Sequence, residues 1–212
     1  MTALQKFKDA MAALPLVAIL RGVRPDEAVA IGQALFDSGF RILEVPLNSP
    51  DPLRSIAALV QAFPQALVGA GTVLTRDEVR QVHAAGAQLA VSPNIDADVV
   101  RESVQLGMVS LPGVLSPSEA FAALAAGAHG LKLFPAEMIA PAAVKALRAV
   151  LPPGTVLLPV GGITPLNLAA YQAAGASGLG IGSALYQPGL SPASVRSRAN
   201  DFVAAWAGTI RA

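Results

Sequence analysis

Cysteine is absent from all 212 residues, histidine occurs only as His83 and His129, and just 14% of the residues are charged. The first absence excludes disulfides and thiol nucleophiles and fits a reducing cytoplasm. The second leaves a histidine-based zinc site or a Ser-His-Asp triad little material, so no metal cofactor is expected. Aromatic residues make up 5%, and the net charge of +1 comes from basic residues scattered along the chain. There is no basic stripe to meet a nucleic acid. Long apolar runs are also missing. The richest stretch, 141–163 (PAAVKALRAVLPPGTVLLPVGGI), is cut by Lys, Arg, Pro and Gly, so no membrane span is expected. The segment DAMAALPLVAIL at 9–20 superficially suggests a signal peptide. Asp9 precedes its apolar part, Pro15 interrupts it, and no small-x-small cleavage site follows. It reads as a helix end followed by a first strand.

What is present is a 53% hydrophobic chain, long enough for one well-filled core and short for two. A single domain over 1–212 is therefore expected. Short β-rich runs at 16–21, 41–46, 66–70, 88–92, 108–111, 129–134, 156–160 and 177–181 alternate with helical patterns. The helices fall at 25–37, 52–62, 75–84, 96–106, 116–126, 141–150, 165–174 and 191–207. Thr75 with Glu78 and Ser116 with Glu119 make capping boxes, and Thr164 before Pro165 marks a third helix start. Gly39, Gly86, Gly107, Gly127 and Gly175 each follow a helix, where a left-handed cap is wanted. Eight strand–helix units predict a single α/β (β/α)₈ TIM barrel, with the first 14 residues as an extra N-terminal helix closing its bottom. An open dinucleotide-binding sheet is the structural alternative. Its Gly-x-Gly-x-x-Gly turn is missing after the first strand, where the chain reads Leu20-Arg21-Gly22-Val23.

Side chains on a barrel strand alternate between interior and helix layer. That alternation puts Leu131 and Leu133 outward, with Gly130, Lys132 and Phe134 inward. The other three lysines, Lys6, Lys8 and Lys145, lie on helical segments and read as solvated charges. A lone buried ammonium is costly, and desolvation lowers its pKa toward a nucleophilic free amine. The same alternation turns Ile42, Glu44 and Pro46 inward, so Glu44 and Lys132 share the barrel mouth. An amine beside a carboxylate base suits Schiff-base chemistry; the plainer alternative is a structural ion pair. Arg21 and Thr72 end strands at the same mouth and can hold a substrate carboxylate, although Arg21 can instead simply neutralise Glu44. Gly69, Gly71 and Pro93 then keep the mouth open. The last two strands run into Gly161-Gly162-Ile163-Thr164-Pro165 and Gly180-Ile181-Gly182-Ser183-Ala184. Each reads as a glycine turn opening a helix, the usual barrel position for a phosphate, or as an ordinary turn.

The segments AILRG (18–22), LEVPLNSP (43–50), GAGTVL (69–74), SPN (92–94), LKLFPAE (131–137), VGGITPLNL (160–168) and GIGSALY (180–186) resemble the 2-keto-3-deoxy-6-phosphogluconate and 6-phosphogalactonate aldolase family over nearly the whole chain. The resemblance implies a metal-free homotrimeric barrel. Its substrate is a phosphorylated keto-deoxy sugar acid, cleaved to pyruvate and glyceraldehyde 3-phosphate. It implies Lys132 as Schiff-base lysine and Glu44 as acid/base. Arg21, Thr72, Pro93 and Phe134 line the pyruvate end, and Gly161, Gly162 and Ser183 bind phosphate, with Gly182 in the same turn. One stretch separates two branches. The gluconate branch shows an arginine in a TLRT-like stretch and a threonine before the paired glycines. Here Pro46-Leu47-Asn48-Ser49 and Val160 stand in those places, as in the galactonate branch, so Asn48 and Val160 are expected near the substrate hydroxyls. The competing activities are cleavage of the gluconate epimer or of 4-hydroxy-2-oxoglutarate, and sugar-phosphate isomerisation with Glu44 as base. A non-catalytic phosphate-sugar binder is a further alternative.

Overall fold

The computed structural model describes residues 1–210; the last two residues of the expected 1–212 domain lie outside the described residues. Nine α-helices and nine strands follow one another along it, alternating except where β6 directly follows β5. Helix α1 spans Ala3–Ala13, and the strands are β1 Leu16–Ile19, β2 Ile42–Pro46, β3 Leu67–Gly71, β4 Leu89–Val91, β5 Val109–Leu111, β6 Gly113–Val114, β7 Leu131–Leu133, β8 Leu157–Pro159 and β9 Leu179–Ile181. The intervening helices are α2 Pro25–Asp37, α3 Pro52–Ala62, α4 Arg76–Ala84, α5 Ala97–Gln105, α6 Pro117–Ala125, α7 Pro141–Val150, α8 Leu168–Ala173 and α9 Pro192–Ile210. All strand pairs are parallel. One sheet runs β5-β4-β3-β2-β1-β9 and the other β6-β7-β8. A single bridge, Val160 to Gly180, joins β8 to β9. The arrangement is a TIM-barrel-like α/β fold with the helices outside parallel strands.

The strands divide their residues between two apolar layers. Leu43, Val45, Leu131 and Leu133 pack with the helices. Val17, Ile42, Leu67, Leu89, Val109 and Leu158 point the other way and form a cluster with Ala3, Phe7 and Ala10 of α1. The first helix therefore fills one end of the strand interior. Fully burying a side chain such as Phe7 contributes roughly 1.5–3 kcal/mol. Lys6, expected as a solvated charge, instead donates to the Pro64 carbonyl (2.8 Å) and to Gln88 Oε1 (2.7 Å). These bonds fasten the outer face of α1 to the loops beneath the strands.

Local signals account for most element ends. Thr75 and Ser116 close the two capping boxes. Gly39, Gly86, Gly107, Gly127 and Gly175 all sit at positive φ after helices. The fifth strand lies where expected, as β5 Val109–Leu111 paired with β4; Pro112, with no N–H for a ladder, ends it, and the short β6 beyond pairs with β7. One expectation fails. Thr164 does not start a helix. Its N–H donates to Asn167 Oδ1 (2.9 Å), and Asn167 Nδ2 donates to the Gly162 carbonyl (2.8 Å). This side-chain-closed turn delays α8 to Leu168.

Candidate active site

Register brings the chemistry to one end of the interior. Glu44 on β2 stands level with Ile19 on β1 and Gly69 on β3, while Lys132 on β7 stands level with Leu158 on β8 and Gly113 on β6. Glu44 and Lys132 line one small cavity with Val17, Ile19, Val91 and Leu158 among its apolar walls. Glycine makes room for the carboxylate: a Cβ at Gly71 would strike Glu44 Oε2.

Both groups are desolvated, with Glu44 1% and Lys132 5% exposed. Glu44 Oε2 is buried without a hydrogen-bond partner. No ion pair within 4.0 Å or hydrogen bond joins it to Lys132 among the described residues. The closed structural ion pair considered from sequence is therefore not formed, and neither does Arg21 pair with Glu44. Burial pushes the Glu44 carboxyl above its ordinary range, outweighing the pull of Lys132 and Arg21 in the other direction. Burial likewise pushes Lys132 below the usual ammonium range, against the Glu44 charge that holds it up, while Arg21 helps to lower it. Desolvation thus opposes a charge on either group, and for Lys132 it works toward the nucleophilic free amine. Lys132 Nζ lies 4.6 Å from the centroid of the Phe134 ring, which covers it on the outer side.

Ile19 and Val160 form the wall shared with a larger open cleft of about 410 Å³. The cleft gathers Arg21, Phe134, Gly161, Gly162, Gly182 and Ser183, six residues drawn from segments far apart in sequence. Gly161 (φ 114°) and Gly162 (φ 61°) adopt backbone that other residues resist. Among the described residues Gly162, Ile163, Ser183 and Ala184 donate no backbone hydrogen bond, while the Ser183 carbonyl is held by Gln187 Nε2 at 3.0 Å. Two turns with unused N–H groups on one cleft suit an anion. The expected helix starts are not there. After β9, Gly182 accepts from Leu185 and Tyr186 in a single turn, and α9 begins only at Pro192. An anion placed here would meet backbone N–H groups rather than the end of a long helix.

Three expected residues line neither cavity. Asn48 accepts a hydrogen bond from Arg21 Nη1 (3.0 Å), and Ser49 Oγ accepts one from the Gly22 N–H (2.9 Å), so this stretch orients the Arg21 loop. Thr72 follows Gly71 at φ 57°, a strained conformation for a β-branched residue. Pro93 packs its carbonyl against Gly113, the register neighbour of Lys132. The sequence reading missed Glu137 and Thr164 in the cleft and Asn167 behind it. Their signal lay in the spans LKLFPAE and VGGITPLNL, whose other residues drew the attention. Among the described residues no three His, Cys, Asp or Glu side chains gather as a metal cluster, and no helix is long and apolar enough to cross a membrane.

This geometry has close counterparts. A probable 2-dehydro-3-deoxy-6-phosphogalactonate aldolase of Rhizobium meliloti (strain 1021) is 49% identical over 91% of both chains. The 2-dehydro-3-deoxy-6-phosphogalactonate aldolase of Escherichia coli (strain K12) is 48% identical over 91% of this chain and 95% of its own. A native KDPGal structure superposes with a TM-score of 0.92 at 46% identity, covering 94% of this chain and 97% of that one. A KDPG aldolase from Legionella pneumophila, with pyruvate captured at low pH as a covalent carbinolamine intermediate, gives 0.77 at 29% identity over 94% and 96% of the two chains. The family model for KDPG and KHG aldolase matches residues 7–196. From its first helix to its last, this chain belongs to the family of KDPG and KHG aldolases.

Proposed function

We propose that this chain cleaves 2-dehydro-3-deoxy-6-phosphogalactonate to pyruvate and D-glyceraldehyde 3-phosphate through an imine on Lys132. The observation that carries the reading is a buried amine without an ion pair, beside a buried carboxylate oxygen without a partner. The free amine adds to the C2 ketone, giving a carbinolamine whose hydroxyl takes the proton of the Glu44 carboxyl and leaves as water, so that a protonated imine faces a Glu44 carboxylate. The imine then draws in the C3–C4 bonding pair as the C4 hydroxyl proton passes to Glu44, and glyceraldehyde 3-phosphate departs. The enamine takes a proton at C3, and water releases pyruvate and the amine. The covalent carbinolamine in the Legionella relative supports the first of these steps. The imine serves as electron sink, so no metal or organic cofactor is invoked.

In this reading Arg21, held by Asn48, clamps the substrate carboxylate. Thr72, Pro93 and Phe134 shape the pyruvate end, and the N–H groups of Gly161, Gly162, Gly182 and Ser183, with the Ser183 hydroxyl, hold the phosphate. We read β5 and β6 as one strand broken at Pro112, making a closed (β/α)₈ barrel over a single domain with α1 as its extra bottom helix. A homotrimer in the cytoplasm, working on small molecules and without nucleic acid, completes the proposal.

The galacto configuration rests on the names of the two relatives near half identity and on Val160. Val160 shares the wall between amine and phosphate turn, and it offers a methyl where a hydroxyl would read C4. Assay of both C4 epimers tests this. The galactonate kcat/KM should at least equal the gluconate value, and Val160→Thr should shift the ratio toward gluconate by about tenfold, roughly 1.4 kcal/mol. A strong gluconate preference in the unmutated protein would overturn the epimer assignment.

A further inference from the structure

One charged side chain in the cleft has no task in the reaction above. Glu137 sits on the short 3-10 turn Ala136–Met138, just after the lysine strand. The backbone around it is fastened. The Ala136 N–H donates to the Val160 carbonyl at 2.8 Å, and the Tyr171 hydroxyl lies 3.0 Å and 3.2 Å from the carbonyl oxygens of Ala136 and Ile139. Among the described residues the Glu137 carboxylate makes no hydrogen bond or ion pair. It lies over the paired glycines. A Cβ on Gly161 would collide with Oε2, and one on Gly162 would come within 3.0 Å of Cγ and 3.3 Å of Oε1. An unpaired negative charge held beside an anion-binding turn opposes the phosphate. Glu137 is exposed to solvent in the open cleft, so water holds its carboxylate until a substrate arrives, and a substrate that displaces that water must offer a donor in its place.

An ionised carboxylate only accepts hydrogen bonds, so among substrate groups it can hold only hydroxyls. The carbon chain must run from C2 at Lys132, past Val160, to the phosphate on C6 at the glycine turn. Its C4 hydroxyl is the one whose proton leaves to Glu44. The remaining hydroxyl, on C5, lies next to the phosphate-bearing carbon, where Glu137 stands. We infer that Glu137 is a specificity residue that accepts a hydrogen bond from the C5 hydroxyl and rejects chains lacking it. The inference rests on the phosphate reading of the glycine turns.

The condensation direction tests it, with pyruvate and two aldehydes of equal length: D-glyceraldehyde 3-phosphate and 3-oxopropyl phosphate, which lacks that hydroxyl. Glu137 is exposed and a chain lacking the hydroxyl leaves it to water, so the unmutated protein should prefer the hydroxylated aldehyde by about tenfold in kcat/KM, less than a buried acceptor would give. Glu137→Ala should abolish most of that preference by lowering only the hydroxylated aldehyde's value. Glu137→Gln, whose amide oxygen still accepts, should keep part of it. Inorganic phosphate should inhibit both variants more strongly than the unmutated protein, because a repelling charge is gone. Equal losses on both aldehydes, or a full preference surviving in Glu137→Ala, would overturn the inference while phosphate inhibition persists. Absence of phosphate inhibition in every form would overturn the phosphate reading, and the inference with it.

Discussion

Two carboxylates in this protein are almost equally hidden from water and are treated in opposite ways. Glu102, on α5 and 7% exposed, accepts from Arg76 Nε at 2.9 Å and Arg80 Nε at 2.8 Å. Those hydrogen bonds hold its carboxyl below the usual range despite its position. Glu44, 1% exposed, has an orphaned oxygen, and burial drives its carboxyl the other way. The first arrangement joins α4 to α5 and satisfies every charge it brings together. The second leaves hydrogen-bonding capacity unspent in an apolar cavity beside an equally unpaired lysine, a costly arrangement for a structural role. Where a fold tolerates an unsatisfied buried group, a ligand is the economical explanation.

That contrast is sharpest on substitution. Glu44→Gln should lower kcat by on the order of 10² or more while imine trapping persists, because the amine remains and the proton carrier does not. Trapping should also extend to lower pH. The Glu44 charge holds the Lys132 pKa up, so removing it lets the amine lose its proton more readily. Near-normal turnover in this variant would make Glu44 structural and dissolve the comparison. Glu102→Gln should do the reverse and by a smaller amount. It should reduce Tm measurably, leave kcat/KM unchanged, and flatten the loss of stability on acidification. The sign follows from the depressed carboxyl: its stabilisation is present above the unfolded-state value and lost as pH falls through the lower folded one. Thermal unfolding between neutral pH and pH 3 checks this; an unchanged Tm would show the two arginine contacts to be inconsequential.

Much of this site was legible because its logic is local. Period-two alternation along RILEVP and HGLKLF turns Glu44 and Lys132 to the same side, and the strands obey it. Helices α2, α3 and α7 match their expected bounds to the residue, because proline at the first turn fixes where each begins. What was hidden depends on partners far along the chain. Nothing local in the sequence tells that Asn48 accepts from Arg21, 27 residues earlier. Lys6 reads as a surface charge until Gln88 and Pro64 arrive beside it. Asn167 was invisible as the brace of the paired-glycine turn because a Thr-Pro pair carries a stronger local helix-start signal than an asparagine closing backward onto Gly162. Glu137 escaped because an acid is not what one seeks beside a turn read as anion-binding.

The central claim is that Lys132 is the nucleophile, and borohydride trapping tests it most directly. The protein is incubated with pyruvate, reduced, digested and mapped by mass spectrometry, with Lys132→Met as the control. The account predicts one reduced pyruvyl adduct per chain, on the peptide containing Lys132, and none in the control. Adduct on Lys6, Lys8 or Lys145 instead, or no adduct under conditions of full turnover, would contradict it.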